Sequence, residues 1–239
     1  MTTTDANKNY GTLDELATVT IEIDQAFADS CRDFGAGTDE AKTIYMKSRT
    51  YIEGLIGNKT PEDRFRQRCV VATGDISVAD LIEFRHDPIA AGVAAIEAGA
   101  PIFTDISMVK AGITKSGHNS EIICVLDEDK DAEIAHKYGI TRTSAGYLAC
   151  RDRLNGAIIA IGNAPSAAIT VSRLIEKGLR PALIIAMPVG FVNAAESKEI
   201  IRCMKVPIPS ISCVGTRGGT PMAVACVNEI IAIANEKKA

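Results

Sequence analysis

The hydrophobic positions of this chain follow two spacings. In the first hundred or so residues they fall on one face of helix-like segments, as Ile44, Ile52 and Leu55 do within Thr43 to Ile56. Beyond Gly99 they gather into short unbroken runs of strand length. Five such runs are Pro101–Asp105, Glu121–Leu126, Ala157–Ile161, Ala182–Met187 and Ile208–Cys213. Continuous apolar strands alternating with helices predict a mostly parallel sheet covered on both faces.

Polar punctuation sets the helix ends. Thr60-Pro61-Glu62-Asp63 offers an N-cap, a proline at the first helical position and acids in the first turn, so a helix is expected to about Ala72. Asp87-Pro88 repeats the signal for a helix to Ala98. Further helices are predicted over Ser107–Ala111, Asp131–Tyr138, Thr141–Leu154, Pro165–Lys177, Ala194–Met204 and Thr220–Glu236. A short segment around Leu81 to Phe84 lies between helices. The fold expected is α/β, a flavodoxin-like three-layer sandwich on a five-stranded, mostly parallel sheet.

Residues 1–40 read differently. Met1 to Asn9 is polar, Leu13 to Phe34 has scattered apolar content, and Gly35-Ala36-Gly37 breaks the pattern. An N-terminal extension over 1–40, docked as an arm or short helix, is expected to precede one α/β domain over 41–239.

Composition narrows the function. The chain has 239 residues and a net charge of −4, which argues against a nucleic-acid binder. Its seven cysteines show no metal spacing and sit mostly in apolar runs, as reduced core residues of a cytosolic protein do. No apolar run reaches membrane-spanning length, and no signal-peptide pattern opens the chain. His86, His118 and His136 form no ligand set, so no metal is expected.

Chemistry-bearing residues cluster at strand ends. Two glycine- and proline-containing turns, Gly162-Asn163-Ala164-Pro165 and Pro188-Val189-Gly190-Phe191, follow strands and lead into helices, an arrangement suited to an anionic ligand. Asp105 and Ser107 either cap a helix or aim its N-terminus at a ligand carboxylate. Arg142 sits in a first helical turn, where the helix dipole disfavours a cation. It points to an anionic ligand or a buried carboxylate partner. Gly215-Thr216-Arg217-Gly218-Gly219-Thr220 is an anion-binding loop or a plain tight turn, and matches no nucleotide-binding fingerprint. Glu196-Ser197-Lys198 at a helix start reads first as ordinary exposed polar residues.

The motifs R-C-V-V-A-T-G-D (68–75), A-G-A-P-I-F-T-D-I-S-M-V-K-A-G-I (98–113), T-R-T-S-A (141–145), G-N-A-P-S-A (162–167), M-P-V-G-F-V-N-A-A-E-S-K (187–198) and G-G-T-P-M-A (218–223) occur in order. Together they resemble the precorrin-8X (cobalt-precorrin-8) methylmutase family of cobalamin biosynthesis, from about Thr43 to the C-terminus. The resemblance implies a cytoplasmic isomerase, usually a homodimer with sites near the subunit interface. Its reaction moves a methyl group from C11 to C12 of a corrinoid ring, with no cofactor, no redox step and no nucleotide.

It also implies site residues. Ser48, within I-Y-M-K-S (44–48), matches the family's active-site serine. Arg142, Asn163, Asp105, Gly218, Gly219, Glu196 and Ser197 become substrate-binding positions for a tetrapyrrole rich in carboxylates. One departure stands out. The position of the family's proton-donating His is Val71 here, with Cys69, Thr73 and Asp75 as nearby polar groups. Because valine cannot donate a proton, the alternative reading is a tetrapyrrole-binding relative without mutase activity.

Overall fold

The computed structural model describes residue 25, residues 39–128 and residues 130–237. The chain divides into two compact units, Met1–Lys47 and Ser48–Ala239. Helix α1 spans Asp39–Ile56. Nearly all of the expected arm over residues 1–40 lies outside the described residues.

The second unit is built on one sheet. Its strands are β1 (Ile82–Arg85), β2 (Ile102–Thr104), β3 (Ile122–Cys124), β4 (Ile158–Ile161), β5 (Leu183–Ala186) and β6 (Ser210–Cys213). They lie in the order β1-β6-β5-β4-β2-β3. The five strands from β2 to β6 run parallel, in flavodoxin-like order, and correspond to the five predicted apolar runs.

The sixth strand corrects the expected count. β1 is antiparallel to β6, pairing Ile82 with Cys213 and Arg85 with Ser210. Its pattern of Ile82-Glu83-Phe84-Arg85 is that of a half-buried edge strand, and four residues are too few to declare it from sequence.

Alternation along the strands divides the core. Ile102, Ile158, Ala160, Leu183, Ile185, Ile211 and Cys213 face one layer, with α2 (Pro61–Thr73), α3 (Pro88–Glu97) and α9 (Thr220–Glu236). Phe103, Ile159, Ile161, Ile184 and Ala186 face the other, with α6 (Arg142–Ala149), α7 (Pro165–Glu176) and α8 (Ala194–Arg202). Both faces are therefore dry, which is why the strands read as unbroken apolar runs. Two further helices are short, α4 (Ser107–Gly112) and α5 (Asp131–Tyr138).

The helix ends follow the predicted chemistry. The Asp63 carboxylate accepts from the backbone N–H groups of Lys59 (2.9 Å) and Thr60 (3.0 Å), and Gly74 ends α2 at φ 66°. α2 and α9 are tied across their lengths. The buried Glu229 carboxylate accepts from Arg64 Nε at 2.6 Å and Arg68 Nε at 2.7 Å, and Arg64 also reaches Glu236. Further along, Cys69 and Cys226 pack with sulfurs 3.7 Å apart. This pairing brings the C-terminal end of α2, with Val71, to the end of the sheet where α9 begins.

Candidate active site

All five parallel strands deliver their following loops to one end of the sheet. The order reverses between β2 and β4, and that crevice is where an open α/β sheet usually receives a ligand. Here the crevice holds a side chain of the protein itself. Asp105, at the end of β2, is fully buried. Its Oδ1 accepts from Gly162 N–H at 3.0 Å, and its Oδ2 accepts from Asn163 and Ala164 N–H at 2.8 Å each. Burial pushes its carboxyl pKa up, while the three donors pull the other way.

All three acceptor contacts of the Asp105 side chain are thus made within the protein. Asp105 shapes the β4–α7 loop and leaves the Asn163 side chain exposed at the edge. Gly162 is required there, because a Cβ would lie 2.6 Å from Val109 Cγ2 and 3.0 Å from Thr220 Cα.

Next to this loop stands a hydroxyl cluster. Thr141, the N-cap of α6, accepts from Ser144 N–H, and its Oγ1 lies 2.8 Å from Ser166 Oγ in the first turn of α7. Arg142 follows. Of the two alternatives open in the sequence, the structure supplies the buried carboxylate: Asp131, 3% exposed, lies 2.9 Å from Arg142 Nε and 2.8 Å from its NH2. The Arg142 side chain as a whole is still 59% exposed.

The β5 and β6 loops are joined by backbone. Gly190 N–H donates to Thr216 O at 3.1 Å, and Gly219 N–H donates to Met187 O at 2.7 Å. Gly219 therefore has its N–H engaged within the protein. Gly218 allows the close approach, since a Cβ there would strike Met187 O and lie 2.8 Å from Pro188 O. Arg217 reaches across to the end of α2, where its NH1 donates to Asp75 Oδ2 at 2.7 Å and to Ser77 Oγ.

Between these loops the edge is apolar and open. Phe191 is 94% exposed, and Met108, Val189 and Val192 stand exposed with it. An open depression of about 610 Å³ is lined by Ala195, Glu196, Ile200, Val214 and Gly215 among others. A second depression, of about 460 Å³, lies at the opposite end of the sheet beside Thr60, Asp87 and Ile233, away from the strand-end loops.

The chain's similarities fit this geometry. The family model of precorrin-8X methylmutase (CbiC) matches residues 43–233. The chain belongs to that family. The cobalt-precorrin-8 methylmutase of Methanocaldococcus jannaschii is 39% identical over 215 residues, covering 86% of this chain and all of that one. The precorrin-8X methylmutase of Pseudomonas aeruginosa is 36% identical over 205 residues, covering 83% and 97%. The crystal structure of the precorrin-8x methyl mutase from Thermus thermophilus superposes with a TM-score of 0.76 at 29% identity, over 82% of this chain and 97% of that one.

Within this methylmutase fold, Val71 lies in the last turn of α2 and is 43% exposed. The polar groups beside it are engaged. Cys69 is buried against Cys226, and Thr73 Oγ1 donates to Cys69 O at 2.9 Å. Asp75 accepts from Ser77 and Arg217, which holds its carboxyl below the usual range. Ser48 is exposed on α1, and Glu196 is exposed in the first turn of α8. Ser197 is buried, its Oγ donating to Ala194 O at 3.0 Å, so it too shapes the helix start.

Lys198 corrects its neighbours' surface reading. It is fully buried, and its Nζ donates to Arg217 O. The signal was present in the sequence: Ala194, Ser197, Lys198 and Ile201 fall at helical spacing on one buried stripe.

Proposed function

We propose that this chain is a corrin-pathway methylmutase, moving a methyl group from C11 to C12 of a precorrin-8-type ring. The observation that carries the reading is family membership over residues 43–233, with an open apolar edge flanked by cations at the carboxyl end of the sheet. A large flat ring lies against Met108, Val189 and Phe191. Its peripheral carboxylates meet the exposed side of Arg142, the Asn163 side chain and the loop around Gly218 and Gly219. Asp105 and Ser197 act indirectly by fixing the loops that carry these groups. Ser48 and Glu196 contact substrate from α1 and α8.

The methyl shift needs a proton at the ring. General acid catalysis contributes typically ~10²–10⁴-fold, and Val71 cannot supply it. Asp75 is held as a carboxylate, so the proton reaches the ring from solvent across the open edge.

The chain works as a homodimer in the cytoplasm. The exposed Val192 supports pairing, and six free cysteines among the described residues suit a reducing compartment. No helix among the described residues is long and apolar enough to cross a membrane.

The test is turnover of precorrin-8 and its cobalt form, followed by visible absorbance. Conversion by the unaltered protein supports the mutase. Tight binding without conversion, with activity gained by Val71→His, would replace it with a tetrapyrrole-binding relative. Light scattering on the purified chain checks the dimer.

A further inference from the structure

Lys198 lies beneath the junction of the β5 and β6 loops. It makes one hydrogen bond, to Arg217 O, and no carboxylate pairs with it among the described residues. The charged groups around it are accounted for one by one. Arg202, on the same helix, is 5% exposed and is matched by Glu199. It also donates to Ser212 Oγ and Cys213 O on β6. Arg217, on the loop, is matched by Asp75. The Cys213 thiol faces Lys198 from β6, and burial pushes its pKa up, so it stays neutral. Two carboxylates therefore balance three cations, and one positive charge is left over below the loop.

A buried ammonium with a single backbone acceptor costs stability, and such groups normally have a pairing or functional reason. The acceptor here belongs to the loop that carries Gly218 and Gly219. We propose that Lys198 is a positioning residue for substrate binding: it fixes the Arg217 carbonyl, sets the 215–219 loop to receive one ring carboxylate, and supplies the charge that this carboxylate neutralises. The inference rests on the mutase reading and deepens it. It assigns the surplus charge to one acid side chain of a polycarboxylate ring.

Burial lowers the amine pKa to about 8, with Arg202 adding to the shift and Cys213 opposing it. The charge, and with it the carboxylate affinity, then falls as pH rises through that value.

The experiment compares two corrin probes by absorbance titration: cobyrinic acid, a polycarboxylate, and cobinamide, its amidated counterpart. Lys198→Met should weaken cobyrinic acid binding by about tenfold, the scale of losing one nearby opposite charge, and leave cobinamide within about twofold. The unaltered protein should lose cobyrinic acid affinity between about pH 7 and 9, and Lys198→Met should not. Lys198→Arg should restore the preference for the acid. Equal binding of cobyrinic acid by the unaltered protein and Lys198→Met would overturn the proposal while leaving the mutase reading intact. Equal weakening of both probes would reduce Lys198 to a structural role. Failure of the unaltered protein to bind either corrin would overturn both. Where Lys198→Met does not fold, Lys198→Gln takes its place, and equal binding of cobyrinic acid by that variant and the unaltered protein also refutes the proposal.

Discussion

Asp105→Asn is the sharpest probe of how the strand-end loops are held. The carboxylate accepts three backbone N–H groups on two oxygens. An amide has one oxygen. Turned toward Asn163 and Ala164, it keeps two bonds and sets its NH2 against Gly162 N–H. That donor is left buried and unsatisfied, at a cost of about 1–3 kcal/mol. The two remaining bonds fall from charge-assisted to neutral, losing roughly 1 kcal/mol each. Relief from burying a charge, visible in the upward push on the Asp105 pKa, returns part of this. The net expectation is about 3 kcal/mol of lost stability. A domain of this size should then melt roughly 6–12 °C lower. Urea unfolding followed by circular dichroism gives the difference directly. The exposed pair Arg173–Glu176 provides a control, because Glu176→Gln should change stability by less than about 0.5 kcal/mol. An Asp105→Asn protein as stable as the unaltered one would show that the loop keeps its shape without the carboxylate.

Three further outcomes are expected. Glu229→Gln removes the shared acceptor of Arg64 and Arg68 and should cost about 3 kcal/mol in urea unfolding; a loss under about 1 kcal/mol would show that α2 and α9 are held by apolar packing alone. The Lys198 amine has a folded-state pKa of about 8 against an ordinary value of 10.5, so the unfolded chain binds the extra proton between those values. Stability should therefore rise with pH across that window, by on the order of 3 kcal/mol in all, and Lys198→Met should lack the slope. Gly218→Ala places a Cβ against Met187 O and Pro188 O; it should weaken corrin binding measurably in an absorbance titration, and unchanged affinity would free the loop from any part in the site.

The sheet was legible because its chemistry is local. Unbroken runs such as Ile158–Ile161 and Leu183–Ala186 are what burial on two faces demands. β1 was hidden for the opposite reason: its pairing partner, β6, lies over a hundred residues away, and only that distant ladder makes Ile82–Arg85 a strand. The site divides in the same way. Arg142 against the helix dipole announced a carboxylate, and Asp131 is that carboxylate, though sequence could not choose it over a ligand. The partners of Asp105 could not be read from sequence, because all three come from a loop more than fifty residues on. Lys198 was missed because charge was given more weight than the helical stripe on which it lies.

The border strand β1 carries a consequence for assembly. An unpaired strand edge invites another chain to extend the sheet, and proteins guard against this with short, charged edge strands. β1 is four residues long, sets Glu83 and Arg85 3.4 Å apart, and ends where His86 and Asp87 turn into left-handed backbone. It offers too little length, and too much charge, for fibril-like growth from that side. Strand addition at β1 is therefore a poor route for a second copy of the chain to meet the first.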